Sequence, residues 1–322
     1  GANMIHRRDF LKTALVGAGL MAMPSFLSAQ AKAKNAILNQ TFTLNDGVKI
    51  PKLGLGVWKI DDSIIEGVIK EAFHIGYRHI DTAQAYQNER GVGAAVNQAI
   101  KNGLKREEIF ITSKVRAEYK DKKSATDSID KSLKTMKLEY IDLMLIHTPQ
   151  PWSDFRGGDY FKENIAVWEA LEAAKKAGKV RSIGVSNFLQ KDLKNLFVNT
   201  STKPSVNQVL AHIGNTPFDL IDFCKKQGIY VEAYSPIAHG ELLKDSRIVK
   251  MAQKYQVSPA QICIRYTLEL GLISLPKSKT PAYIAQNAAV DFKISKADLE
   301  ILKKLDFKGY GAFATTPVFS GK

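Results

Sequence analysis

Four polar side chains sit where their types could do chemistry together. Asp81 closes the short run His79-Ile80-Asp81, Lys114 closes Ile109-Phe-Ile-Thr-Ser-Lys114, His147 closes Ile141-Asp-Leu-Met-Leu-Ile-His147, and Tyr86 follows Asp81 by five residues. A phenol becomes a useful proton donor when a nearby cation draws its pKa down from about 10. A lysine and an aspartate at the ends of apolar runs are costly to desolvate unless they pair, and the pairing keeps the ammonium charged. The expectation is therefore that Asp81 anchors Lys114, that Lys114 lowers the pKa of Tyr86, and that Tyr86 donates a proton. His147 can hold a carbonyl oxygen in place for that transfer. Singly, each residue has a blander use: Asp81 as a turn cap, Tyr86 as a rim aromatic, Lys114 snorkelling, His147 satisfied by a backbone carbonyl.

Elements that would position these residues are legible along the chain. Thr41-Phe-Thr-Leu-Asn-Asp-Gly-Val-Lys-Ile50 alternates apolar and polar residues about Asn45-Asp46-Gly47 and predicts a β-hairpin. After it, strand and helix patterns alternate. Strands are predicted at 53–57, 79–81, 109–114, 141–147, 180–185, 205–208, 230–234 and 273–275. Helices are predicted at 63–75, 88–102, 125–136, 161–177, 190–198, 218–227, 245–255, 259–270 and 281–289. Eight such units with short connections imply a parallel sheet that closes into a (β/α)8 barrel, whose site lies at the C-terminal strand ends. Asp81, Lys114 and His147 fall there, with Tyr86 in the following loop.

At these residues the sequence resembles the aldo-keto reductase superfamily, barrel enzymes that reduce carbonyls with a nicotinamide cofactor. The family's Asp, Tyr, Lys and His tetrad matches Asp81, Tyr86, Lys114 and His147. The resemblance runs from about Thr41 to the C-terminus and includes Gly184-Val-Ser-Asn-Phe188, Val206-Asn-Gln208, Tyr234-Ser-Pro236 and Pro276-Lys-Ser278 in order. It implies NADPH or NADP as cofactor, with NADH as a second option. Ser186, Asn187 and Gln208 match residues that hydrogen-bond the nicotinamide carboxamide, and Tyr234 matches the aromatic that stacks on its ring. Ser235, Lys277 and Ser278 match positions that hold phosphates. No Gly-x-Gly-x-x-Gly follows a strand with the right continuation, since Gly91-Val-Gly93 lies inside a helix pattern, so a Rossmann domain is disfavoured.

Two departures from the family pattern matter. The arginine usually found six residues after the Pro-Lys-Ser lysine, where it pairs with the adenosine 2'-phosphate, is Tyr283, and the usual glutamate near the adenine amino group is Gln286, followed by the expected Asn287. A phenol can stack on adenine but carries no charge, so a modest preference for NADPH is expected. Thr148 follows His147 where the family usually has Trp, so the pocket near the carbonyl should differ. Trp58, Trp152 and the tail from Asp306, with Tyr310, Phe313 and Phe319, are positioned to wall the mouth alongside His147.

Composition sets the remaining bounds. The 322 residues, 45% hydrophobic and 24% charged, can bury a substantial core, the length fits one barrel or two smaller domains, and the formal charge is +14. The lysines are scattered over predicted helices without arginine-aromatic interleaving, which speaks against nucleic acid. Gly1 to Asn3 read as a tag remnant. The head His6-Arg7-Arg8-Asp9-Phe10-Leu11-Lys12, the apolar run from Ala14 to Leu27 and the small-residue site Ala29-Gln30-Ala31 read as a twin-arginine signal. The expected division is thus 1–31 signal and 32–322 a single barrel domain, exported to a periplasm, monomeric and without a membrane anchor. An ordinary amphipathic helix in a cytoplasmic protein is the other reading of residues 1–31. Cys224 and Cys263 fall in helical patterns and are expected as buried free thiols rather than a bridge. The histidines show no metal-type spacing, which disfavours a metal-dependent hydrolase and leaves no metal expected. A non-catalytic nucleotide-binding or interaction protein on the same barrel remains the alternative function, and would more naturally show a broken tetrad.

Overall fold

A computed structural model describes residues 36–320. The signal reading of residues 1–31 lies outside the described residues. Strands β1 (Thr41–Thr43) and β2 (Lys49–Pro51) form the expected hairpin, with Thr41 opposite Pro51 and Thr43 opposite Lys49. Asp46 in its turn accepts from Ser182 Oγ at 2.6 Å and from Lys175 Nζ at 3.1 Å, which pins the hairpin to the barrel. Leu44 and Ile50 pack with Phe110, Leu143, Leu145, Val206, Ile273 and Leu275 in one buried cluster. The hairpin therefore plugs the N-terminal end of the barrel with apolar side chains.

The barrel strands are β3 (Leu55–Gly56), β4 (His79–Asp81), β5 (Phe110–Val115), β6 (Ile141–Ile146), β7 (Val180–Ser186), β8 (Val206–Leu210), β9 (Tyr230–Tyr234) and β10 (Ile273–Leu275). They pair in chain order and all in parallel. Hydrogen bonds from Gly54 N to Ser274 O at 2.9 Å and from Gly56 N to Pro276 O at 3.0 Å join the first strand to the last and close the ring. Every residue of β5 and β6 is buried, as expected of strands covered on both faces. Gly54 is needed for close approach: a Cβ there would lie 2.7 Å from Cγ of His79.

Helices lie between successive strands at nearly the expected bounds. The largest difference is the helix Lys122–Met136, which starts three residues before the expected Ala125 because the Asp121 carboxylate accepts from Ser124 N at 2.7 Å and caps it there. Ser258 and Gln261 form a capping box that spans Pro259 at the start of the helix Pro259–Glu269. A further helix, Lys296–Lys303, is capped by Ser295 and packs Leu302 into a second cluster that also holds Tyr310 and Phe319. The strand-and-helix alternation does not call for it. From there the C-terminal segment folds over the mouth, anchored where His212 Nε2 and Asn215 Nδ2 meet the Tyr310 hydroxyl at 2.7 and 2.8 Å. Cys224 and Cys263 are free, buried and in separate clusters.

Candidate active site

Asp81 is the last residue of β4, Lys114 the penultimate residue of β5, and His147 follows β6 directly. Tyr86 ends a short 3-10 turn, Gln84–Tyr86, that leaves β4. These elements bring the four side chains together. Lys114 Nζ donates to Asp81 Oδ1 at 2.6 Å, to Thr82 O at 2.9 Å and to Tyr86 Oη at 3.3 Å. The Tyr86 and His147 rings meet edge to face, 5.8 Å apart. Burial works against the Lys114 charge, yet Asp81 and Tyr86 outweigh it and hold the ammonium above its usual range. His147 is driven well below the ordinary imidazole pKa by burial and by the cations Lys114, Lys120 and Arg116, so it is neutral. Its Nδ1 is buried without a partner among the described residues.

The expected direction for Tyr86 needs correcting. Burial pushes its phenol above the ordinary tyrosine value, and although Lys114 pulls it back down, Asp81 adds to the rise. The sequence shows the cation near the phenol but not how dry the phenol's surroundings are. The net direction favours the protonated phenol.

A cavity of about 550 Å³ opens over this group. Asp81, Tyr86 and His147 line it together with Trp58, Trp152, Ser186, Asn187, Gln208, Tyr234, Ser235 and Lys277. Ser278, Tyr283, Gln286 and Asn287 do not line it. Ser278 Oγ bonds the Thr280 backbone instead, Tyr283 is largely exposed, Gln286 is half-buried and Asn287 is buried, the last three on the helix Pro281–Ala288 just after Lys277. The tail supplies Phe313, Val318 and Phe319 to the wall, whereas Tyr310 is the anchor beneath. Trp152 stands edge-on to His147 at 5.2 Å, while Thr148 is buried with its carbonyl bound by Lys120. Thus the aromatic beside the histidine comes from five residues downstream.

Side-chain commitments sort the residues expected to meet a nicotinamide. Asn187 is engaged at both ends, its Nδ2 donating to His147 O at 3.0 Å and its Oδ1 accepting from Tyr234 Oη at 2.6 Å. Ser186 Oγ donates to Gln208 O at 2.8 Å and keeps acceptor capacity. Gln208 gives its Nε2 to Asp81 Oδ2 at 2.8 Å, while its Oε1 accepts nothing among the described residues. A flat aromatic, a free amide oxygen and a hydroxyl on one wall fit an aromatic amide, with Lys277 at the edge for an anion.

Several residues of the site escape motif reading. Asn88 accepts from Thr82 Oγ1 at 2.6 Å and donates to Val57 O and Ile60 O, so it locks the loop bearing Trp58 to the residue whose carbonyl receives Lys114. Glu89 accepts from Ser113 and Ser132, and Gln84 bonds Ser132 and Arg116 N, which fixes the turn bearing Tyr86. His239, with φ of 55°, stacks on Phe313 at 4.0 Å and joins the loop after β9 to the tail. His79 and Glu232 are fully buried beneath Asp81. Their signal was present: each is a polar residue in a strand, two residues before a residue of the site.

Among the described residues there is no helix long and apolar enough to cross a membrane, and no group of three or more residues that could hold a metal ion. The chain is 40% identical to glyoxal reductase of Bacillus subtilis (strain 168) over 271 residues, 84% of this chain and 94% of that protein. It is 40% identical to methylglyoxal reductase DkgA of Salmonella typhimurium, covering 82% of this chain and 92% of that one. Among solved structures, an aldo/keto reductase from Brucella melitensis superposes with a TM-score of 0.77 at 39% identity, over 83% of this chain and 99% of the other. A Bombyx mori aldo-keto reductase in complex with NADP does so with 0.75 at 32% identity, over 87% and 98%. The sequence profile of the Aldo/keto reductase family matches residues 52–306, and with a closed eight-stranded barrel around the Asp81, Tyr86, Lys114 and His147 cluster, the chain belongs to that family.

Proposed function

We propose that this protein reduces an aldehyde or ketone to the alcohol with NADPH, Tyr86 being the proton donor. The observation that carries the reading is Lys114 Nζ lying 2.6 Å from Asp81 Oδ1 and 3.3 Å from Tyr86 Oη on the wall of one cavity. A bound reduced nicotinamide would supply the hydride that the carbonyl carbon accepts. Tyr86 gives its proton to the carbonyl oxygen, and the phenolate left behind faces the Lys114 ammonium, whose positive charge stabilises it. Asp81 keeps Lys114 charged and in place. His147 is neutral, and an unpartnered Nδ1 is cheaper as a bare acceptor than as an N–H, which favours the tautomer with the proton on Nε2 for donation to the carbonyl oxygen. Ser186, Gln208 and Tyr234 would hold the nicotinamide, and Ser235, Lys277 and Ser278 the phosphates. Asn187 would support them through Tyr234. Tyr283, Gln286 and Asn287 would meet the adenosine.

The named activities of the two relatives make small 2-oxoaldehydes the first substrates to try. Trp58, His147 and Trp152 would bound the site that takes them. The test is consumption of NADPH on adding glyoxal or methylglyoxal, with glyceraldehyde and a simple ketone as comparisons. No carbonyl-dependent loss of NADPH across that set would overturn the proposal in favour of a non-catalytic barrel.

A further inference from the structure

Beneath the tetrad lie two buried polar residues that the proposed chemistry does not use, His79 and Glu232. His79 Nδ1 lies 3.3 Å from Pro51 O and is thereby the protonated nitrogen, which leaves the Nε2 lone pair pointing inward. That lone pair faces Glu232 Oε2 at 3.9 Å, and neither atom has another partner among the described residues. The other carboxyl oxygen, Glu232 Oε1, lies 3.3 Å from Gln208 Nε2, whose second proton goes to Asp81 Oδ2 at 2.8 Å. His79, Asp81, Glu232 and Gln208 are all buried, and the neighbours of Glu232 on β10, Ile273, Ser274 and Leu275, bring no charge.

We propose that Glu232 is a positioning residue that holds the Gln208 amide with its nitrogen toward the barrel floor and its oxygen toward the cavity. The physical reason lies in the two carboxyl oxygens on one side of the amide. Turned over, Gln208 would set its own oxygen against both, one belonging to the charged Asp81; as found, both N–H groups are satisfied. Glu232 suits the task as an uncharged carboxylic acid, with Oε1 as the acceptor facing Gln208 Nε2. Burial and the charge of Asp81 push its pKa up to about 8, and burial holds His79 neutral at about 4, which agrees with that arrangement. Lys114 is the remaining charged group facing this cluster, and it is bound to Asp81. The consequence for recognition is directional: Gln208 offers the cavity an acceptor, so its ligand must present an N–H. This rests on the proposal that Gln208 meets the nicotinamide carboxamide.

The probe is a nucleotide pair that differs only in that N–H: NADP, and its 3-acetylpyridine analogue, in which the carboxamide nitrogen is replaced by a methyl group. Dissociation constants are measured by titration calorimetry on the full chain. The unmodified protein is expected to favour NADP by about ten-fold, the worth of one such bond. Glu232→Met and the strand-compatible Glu232→Val should shrink the ratio to about two-fold, while Glu232→Gln, which keeps an acceptor, should preserve it. An unchanged ratio in a folded Met or Val variant, or a lost ratio in the Gln variant, overturns the role of Glu232. Gln208→Leu separates the two readings. If it collapses the ratio and the Glu232 variants do not, only the positioning role fails; a ratio near one in the unmodified protein, or one unmoved by Gln208→Leu, removes Gln208 from the carboxamide and the role of Glu232 with it.

Discussion

Replacing Lys114 by methionine keeps most of the side-chain volume and removes the charge on which the site turns. Three contacts vanish, to Asp81 Oδ1 at 2.6 Å, Thr82 O at 2.9 Å and Tyr86 Oη at 3.3 Å. What is left is a buried Asp81 carboxylate with Gln208 as its remaining side-chain donor. Leaving one member of a buried pair uncompensated costs roughly 3 to 5 kcal/mol, so Lys114→Met should be destabilised by that order. Asp81→Asn leaves the ammonium short of its counterion and should cost a similar order. The double variant buries no lone charge, so it should be less destabilised than the sum of the single variants by about 2 to 3 kcal/mol. Urea unfolding followed by far-UV circular dichroism measures all four forms. Single-variant effects that add to within about 0.5 kcal/mol would refute the account of the pair. A kinetic readout accompanies it: in the alcohol-oxidation direction, which needs the phenolate, the rate rises with pH as the phenol ionises, and loss of the cation should move that rising limb of the Lys114→Met profile to higher pH as well as lower the rate. An unmoved limb would reduce Lys114 to a packing element.

Three further outcomes are expected. Because Tyr283 is largely exposed and uncharged where the family pattern has an arginine, NADPH should be favoured over NADH by only about ten-fold in kcat/KM, and Tyr283→Arg should raise that preference; a preference above about a hundred-fold in the unmodified protein would show that Lys277 compensates. Glu232 has a folded pKa raised from 4.5 to about 8, so the folded state keeps a proton that the unfolded state releases, and the associated stability is full below pH 4.5 and lost as pH rises towards 8. Melting temperatures of Glu232→Gln should therefore fall less steeply across that window than those of the parent, and parallel slopes would show Glu232 to be ionised throughout. If residues 1–31 direct export of the folded barrel, replacing Arg7 and Arg8 with lysine should retain the protein in the cytoplasm on cell fractionation; periplasmic recovery of that variant would refute the twin-arginine reading.

The barrel was legible because its signal is repeated: eight apolar runs alternate with helical patterns, and polar residues end the strands on one side. The tetrad was legible for the same reason. What the sequence hides is the sum of opposing terms at a point. Tyr86 illustrates this, since a nearby lysine can be inferred from strand ends while the burial that outweighs it comes from groups brought up from other parts of the chain, the His147 ring among them. The helix Lys296–Lys303 escaped because nothing in the alternation requires it, although Ser295 followed by Asp298 is a start signal. Glu232 and His79 escaped for a different reason: a lone polar residue in an apolar run is conspicuous, but only closure of the ring brings β9 across from β4. The aromatic against His147 was likewise set by loop geometry, Trp152 standing there while Thr148 is buried.

In the proposed reaction Tyr86 transfers a proton that no other group replaces. Tyr86→Phe keeps the ring and its packing and deletes the hydroxyl alone. Single-turnover loss of NADPH absorbance with methylglyoxal, alongside calorimetric NADPH affinity, separates chemistry from binding. The expected outcome is an affinity within about two-fold of the parent and a rate constant reduced at least a hundred-fold, in the range typical of a lost general acid. A Tyr86→Phe protein that binds NADPH and still turns over above about one percent of the parent rate would contradict it.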